Sequence, residues 1–133
     1  FTTSQYGSTN KLVANYQRAS NLYPKEFRSA LDQFLDITQS LSNAWKSEDV
    51  DLIIDLLSAY DAQIKKLDKI GDIGIYTQVH ADIQNIASTH NVFYKPSGAG
   101  GGDIGLAFSS SLDALSDFSD AIGTDAWNIG CLD

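Results

Sequence analysis

The sequence predicts an α+β fold in which helices cover an antiparallel sheet. Long stretches with apolar residues at helical spacing fill much of the chain, and short runs with strand character follow them. Helices and strands do not alternate strictly, which favours an antiparallel sheet with helices on one face over a parallel sheet. With 133 residues, 43% of them hydrophobic, the chain is long enough to bury one substantial core.

Five helices are predicted. The first begins at Ser8 or Thr9, either of which suits an N-cap, and the second begins after Tyr23-Pro24. Ser47 is the expected cap of the third helix, and a fourth runs from about residue 76 to 89. The second helix has an inward-facing stripe made of Phe27, Leu31, Phe34, Leu35, Thr38, Leu41 and Trp45. The corresponding stripe of the third helix is Val50, Ile53, Ile54, Leu57, Tyr60, Ile64 and Leu67.

Strands are predicted near both ends of the chain and on either side of a glycine-rich segment. Residues 1–7 resemble the end of a strand and a turn, residues 92–95 and 104–108 form two short strands, and residues 127–132 form a last one. Before that last strand, a fifth helix opens with a Ser-Ser-Leu-Asp capping box and ends at Gly123.

Charge and cysteine content argue against several classes of function. The net charge of -8 disfavours binding to nucleic acid or to an anionic membrane, because both are polyanions. Cys131 is the single cysteine, and His80 and His90 do not share a helical face, so neither a disulfide nor a metal site is predicted. No run of about 18 apolar residues occurs, so no membrane span is predicted and we expect a cytoplasmic protein.

The segment that indicates chemistry is rich in glycine. It reads Lys95-Pro96-Ser97-Gly98-Ala99-Gly100-Gly101-Gly102-Asp103, and we refer to residues 95–103 as the glycine loop. Glycine loses more conformational entropy on folding than other residues, so such a cluster indicates either tight turns or backbone amides that approach an anion. A flexible linker is the alternative, but linkers are usually flanked by polar sequence, and this segment separates two apolar runs.

Other phosphate-binding motifs fit the glycine loop poorly. Gly100-x-Gly102-x-x-Gly105 has the spacing of the dinucleotide fingerprint, but a predicted strand follows it where the fingerprint requires a helix. No Lys-Ser or Lys-Thr follows the glycines, as a Walker motif requires, and the other sequence signatures of protein kinases are missing.

The glycine loop and the following Ile104-Gly105-Leu106-Ala107 closely resemble the third conserved motif of the GHMP kinases. The most similar version is that of the phosphomevalonate kinases, Lys-Pro-Ser-Gly-Ala-Gly-Gly-Gly-Asp-Cys-Gly-Ile-Ala; here Ile104 replaces the cysteine and Leu106 the isoleucine. Weaker similarity at residues 6–13, 74–77 and 122–133 extends the resemblance over nearly the whole chain, although only the glycine motif is highly specific.

The resemblance implies a fold and an activity. Residues 1–133 would be the C-terminal domain of a two-domain kinase, ferredoxin-like with extra helices, and the intact enzyme would use ATP and Mg²⁺ to convert 5-phosphomevalonate to 5-diphosphomevalonate in isoprenoid biosynthesis. The family's ATP-binding loop belongs to an N-terminal domain and is not found in this sequence. Because the chain also begins with Phe1, we expect a piece of a longer polypeptide that is inactive alone.

The resemblance also implies a substrate- and phosphate-binding site without catalytic residues of its own. Its members would be Lys95, Ser97, Gly98, Ala99, Gly100, Gly101, Gly102 and Asp103. The amides of residues 98–102 would donate to phosphate oxygens or brace the ATP loop. Ser97 either bonds the substrate phosphate or shapes the turn, and Lys95 either pairs with an anion or is solvated. We interpret Asp103 as an acceptor of loop amides rather than as a base.

Two other functions remain open. The chain could belong to another GHMP kinase that acts on mevalonate or a sugar, although Ser97 and Asp103 favour the phosphomevalonate kinases. Alternatively, it could be a non-catalytic binding domain with the same fold. Apolar residues that face the missing domain would leave an exposed patch on this piece, so we also expect either self-association, as a homo-oligomer, or marginal solubility.

Overall fold

The computed structural model describes residues 8–98, 100–101 and 104–123, which form two compact units, residues 8–75 and the residues from Tyr76 onward. No helix in these ranges is long and apolar enough to cross a lipid bilayer. The elements in chain order are α1 (Thr9–Leu22), α2 (Pro24–Lys46), α3 (Val50–Gly71), α4 (Gln78–Thr89), β1 (Phe93–Ser97), β2 (Ile104–Phe108) and α5 (Leu112–Ile122).

The helix starts follow the local capping chemistry. Ser8 caps α1 as predicted, since its Oγ accepts a hydrogen bond from the Lys11 amide at 3.4 Å. The prediction for α3 was wrong: Asp49 is its N-cap and accepts from the Leu52 amide at 3.1 Å, whereas Ser47 follows the end of α2. An aspartate two residues nearer the helix satisfies the free amides directly, which leaves Ser47 no capping role there.

The helical unit, residues 8–75, has its own core. Its buried members come from all three helices and from the segment after α3: Leu12, Ala19, Phe27, Ala30, Leu67 and Ile73. Between α2 and α3, the rings of Phe34 and Tyr60 pack with centroids 4.7 Å apart. The predicted stripe of α2 was too wide, because Leu31 and Leu35 are exposed, at 57% and 63%.

The second unit contains the hairpin. β1 and β2 pair antiparallel, with Tyr94 opposite Ala107 and Pro96 opposite Gly105. Helix α4 packs on β1 and α5 contacts α4. The core of this unit is formed by Ala87, Val92, Tyr94 and Phe118. The predicted strand at 104–108 and the capping serine and terminal Gly123 of the last helix are confirmed.

The predicted fold class was wrong. About 73% of the described residues are helical, and these residues form one two-stranded antiparallel sheet rather than the ferredoxin-like sheet of a GHMP kinase C-terminal domain. The physical reason lies in residues 8–75, whose apolar helix faces are buried against one another and need no sheet to cover them. The predicted strands at residues 1–7 and 127–132 lie outside the described residues.

Candidate functional site: the glycine loop

The first three residues of the glycine loop end β1, and its described glycines lie between β1 and β2. Gly98, Gly100 and Gly101 have φ values of +64°, +81° and +80°, in the left-handed region that strains residues with a side chain. The Gly100 amide donates to the Ser97 carbonyl at 3.4 Å, which closes the turn. Glycine is therefore required here for the backbone path, which was one of the two reasons that the sequence suggested.

The predicted site residues are only partly brought together. Gly98 is exposed, Gly100 is buried, and Ser97 is half-buried at the end of β1. The Lys95 ammonium folds back along its own strand, where Nζ donates to the Pro96 carbonyl at 2.7 Å. Of the other predicted members, Ala99, Gly102 and Asp103 lie outside the described residues.

A buried polar pair that was not predicted from the sequence joins the hairpin to α4. The Tyr94 hydroxyl lies 2.7 Å from Nδ1 of His80 on α4, and the two residues are 2% and 0% exposed. Burial raises the pKa of the Tyr94 hydroxyl, so it stays protonated at neutral pH and donates to Nδ1 whenever that nitrogen is unprotonated. The alternation of side chains along β1 could have indicated that Tyr94 is buried, because it places Tyr94 and Pro96 on the same face of the strand.

Gly105 completes this arrangement from the second strand. It is buried opposite Pro96, and a Cβ added to it would overlap the phenol ring of Tyr94. On the other side, the Gln84 side-chain amide of α4 donates to the Tyr94 carbonyl at 3.1 Å. Tyr94 is thus fixed at its hydroxyl, its ring and its backbone.

In the helical unit, a polar network holds the segment that follows α3. Oδ1 of Asp68 accepts from the amides of Gly74 and Ile75 at 2.8 and 2.9 Å. Nδ2 of Asn15 on α1 donates to the Ile73 carbonyl at 2.9 Å. This network explains the local structure of Gly74-Ile75, part of the weaker resemblance, as a backbone turn satisfied by side chains.

The described residues contain no group of three or more histidine, cysteine, aspartate or glutamate side chains placed to hold a metal ion. The ring of His80 contacts Tyr94, and Nδ1 of His90 lies 2.9 Å from the Ile86 carbonyl. Cys131 lies outside the described residues.

Comparison with known proteins shows the fold of this chain but not its family. No protein-family model matches the sequence, and no curated protein matches it. Among solved structures, the chain is similar to the crystal structure of a Lin0012 protein from Listeria innocua, with a TM-score of 0.84 over 90% of this chain and 23% sequence identity. The chain spans 34% of that protein, and at this identity the likeness concerns the fold alone.

Proposed function

We propose that this chain is part of a GHMP-type kinase and that its glycine loop binds a phosphate group. The whole enzyme would transfer the γ-phosphoryl group of ATP to 5-phosphomevalonate and release 5-diphosphomevalonate. The observation that supports the proposal is that Gly98, Gly100 and Gly101 of the nine-residue motif lie between β1 and β2 and have positive φ.

The chemistry of phosphoryl transfer suits such a loop. The protein mainly positions the reacting groups and stabilises negative charge on the phosphoryl oxygens. Successive backbone amides in a tight turn form a concave donor set for an anion, and glycine leaves them accessible because it has no side chain. Because these donors are neutral amides, they bind phosphate without basic side chains, even on a chain with a net charge of -8.

The residues present fit part of what the reaction needs. The Gly100 amide closes the turn by donating to the Ser97 carbonyl, so the exposed Gly98 and the half-buried Gly101 are the described glycines whose amides suit a phosphate of 5-phosphomevalonate or of ATP. The described residues offer no carboxylate cluster for Mg²⁺, so we assign no step to the metal on this chain. This chain's part in the reaction is therefore to bind and orient a phosphate group.

A non-catalytic anion-binding module is the second candidate. It is favoured by the position of Lys95, whose ammonium bonds to the Pro96 carbonyl of its own strand. Phosphoryl transfer depends on positive charge beside the transferred group, and an ammonium that bonds a carbonyl of its own strand contributes less to that charge than one directed at the phosphate. Both candidate functions include phosphate binding by the glycine loop. Only the kinase would also turn over ATP.

Binding is tested on the ¹⁵N-labelled chain by titration with inorganic pyrophosphate, 5-phosphomevalonate or ATP. We expect saturable amide shifts at Gly98, Gly100 and Gly101 and weaker binding in Ser97→Ala. The matched control is Ser110→Ala, an exposed serine between β2 and α5, which should bind as the parent chain does. Unchanged loop amides with all three ligands would refute phosphate binding.

Activity is tested on the natural polypeptide that carries this chain, by following ADP release with ATP and 5-phosphomevalonate. Removing the hydroxyl in Ser97→Ala should lower kcat/KM by about tenfold if it bonds the substrate phosphate, the size expected for one lost hydrogen bond. ADP release only with mevalonate or a sugar would identify another GHMP kinase. No release with any of them, together with loop shifts, would identify the non-catalytic module.

A further inference from the structure

We infer that Tyr94 and His80 act as a positioning pair for the glycine loop, with the Tyr94 ring setting the path of β2 as it leaves the loop. The inference deepens the proposed function and rests on it, since it assigns the shape of the phosphate-binding turn to residues outside the motif. Neither residue is proposed to touch the ligand.

Tyr94 and Gly105 are in close contact. Gly105 lies directly after Ile104, the first residue of β2, and its face is filled by the phenol ring. Tyr94 is paired with Ala107, so the ring reaches diagonally across the hairpin to Gly105. Only a residue without a side chain permits this approach, so the ring defines where the second strand begins.

Tyr94 is itself held in place by residues outside the hairpin. Two side chains one helical turn apart on α4 reach Tyr94: His80 at its hydroxyl, at 2.7 Å, and Gln84 at its carbonyl, at 3.1 Å. From α5, the ring of Phe118 lies 6.5 Å from that of Tyr94, centroid to centroid. Through these contacts, the position of α4 determines where the Tyr94 side chain lies, and that side chain in turn determines the position of β2 after the loop.

Tyr94 and His80 form a polar pair although the core around Tyr94 is apolar. Phenylalanine would fill the same space among Ala87, Val92 and Phe118 without burying a hydroxyl and an imidazole. Burying polar groups is unfavourable unless they are hydrogen-bonded, and the bond between Tyr94 and His80 fixes one orientation of the phenol ring. The hydrogen bond holds the ring at one tilt above Gly105, which packing of a phenylalanine alone does not require.

The test separates loop geometry from overall stability. Tyr94→Phe keeps the ring and removes the bond to His80, and Tyr60→Phe is the matched control, because that ring packs against Phe34 in the helical unit. Amide hydrogen exchange at Gly100 and Gly101 and the affinity for inorganic pyrophosphate are measured at a temperature where each variant is folded. We expect exchange about tenfold faster and affinity about five- to tenfold weaker in Tyr94→Phe, and no change in Tyr60→Phe.

The outcomes distinguish this inference from the proposed function. If the parent chain binds pyrophosphate and Tyr94→Phe matches it in affinity and in loop exchange, the positioning pair is refuted and the proposed function stands. If the parent chain does not bind pyrophosphate, the proposed function loses its support, and loop exchange alone decides whether the pair orders the loop. Should Tyr94→Phe fail to fold, His80→Gln, which keeps a polar side chain on α4, is measured in the same way.

Discussion

Gly71, the last residue of α3, lies directly against the side chain of Ala19 in α1. A Cβ on Gly71 would overlap the Ala19 methyl group, and Ala19 is fully buried. This close approach also brings Arg18 to the end of α3, where Nη2 donates to the carbonyls of Gly71 and Asp72 at 3.2 Å each. Arg18 thus satisfies carbonyls that the helix leaves free and places a cation at its negative end.

Gly71→Ala should destabilise the helical unit. The added methyl group must displace α1, and overpacking of this kind lowers the free energy of unfolding by about 1–3 kcal/mol. Urea denaturation followed by circular dichroism measures the change. The double variant Ala19→Gly/Gly71→Ala restores the space and should recover much of the loss; a single variant as stable as the parent would show that the contact is not tight.

Gly105→Ala should be more destabilising than Gly98→Ala. At Gly105 the new methyl group overlaps the Tyr94 ring, and we expect a loss of about 3 kcal/mol, the upper part of the range for overpacking. At Gly98 the methyl group meets no atom within 4 Å, so only the positive φ opposes it, at about 1–2 kcal/mol. Thermal unfolding of both variants measures the difference, and equal losses would contradict the overlap.

Asp49→Ala should cost more stability than Ser47→Ala. Asp49 caps α3 through the Leu52 amide, and loss of an N-cap typically lowers stability by about 1 kcal/mol. The Ser47 hydroxyl donates to the Ala44 carbonyl at 3.0 Å beyond the end of α2, a bond that contributes less than a cap. The denaturant midpoints of the two variants show which loses more stability. A larger loss in Ser47→Ala would support the sequence-based prediction that Ser47 caps α3.

The stability of the second unit should fall at alkaline pH because of Tyr94. Its folded-state pKa is raised by burial above the ordinary value of about 10, so between the two values the unfolded chain has lost the proton that the folded chain keeps. The stabilisation is therefore complete below about pH 10 and decreases above it, by up to about 1.4 kcal/mol per pH unit. Unfolding measured from pH 8 to 11 should show a steeper decline in the parent chain than in Tyr94→Phe; parallel declines would contradict it.

Local chemistry was the part of this fold that the sequence predicted well. The start of α1 at Ser8, the end of α5 at Gly123 and the strand from Ile104 to Phe108 depend on residues close to one another in the chain, and all three predictions are confirmed. The wrong prediction at Ser47 also concerns a short stretch of chain. Two nearby polar residues compete to cap α3, and the geometry of the turn selects Asp49.

Burial was predicted less well, since it depends on which elements meet. Helical spacing placed Leu31 and Leu35 on the inner stripe of α2, yet both are exposed, because the neighbouring helices cover only part of that stripe. The expected larger sheet failed for a related reason: pattern alone does not reveal that residues 8–75 bury their apolar faces among themselves.

By itself, the sequence determined where chemistry should be sought, because a cluster of glycines at one place specifies a backbone path that other residues cannot follow without strain. Only the tertiary structure decided which buried side chains pack against the strands that flank these glycines. His80 and Tyr94 are fourteen residues apart and belong to different elements, so no local pattern links them, and their 2.7 Å contact exists because α4 packs on β1. Capping and backbone preference act over a few residues, whereas a buried polar pair requires distant elements to meet.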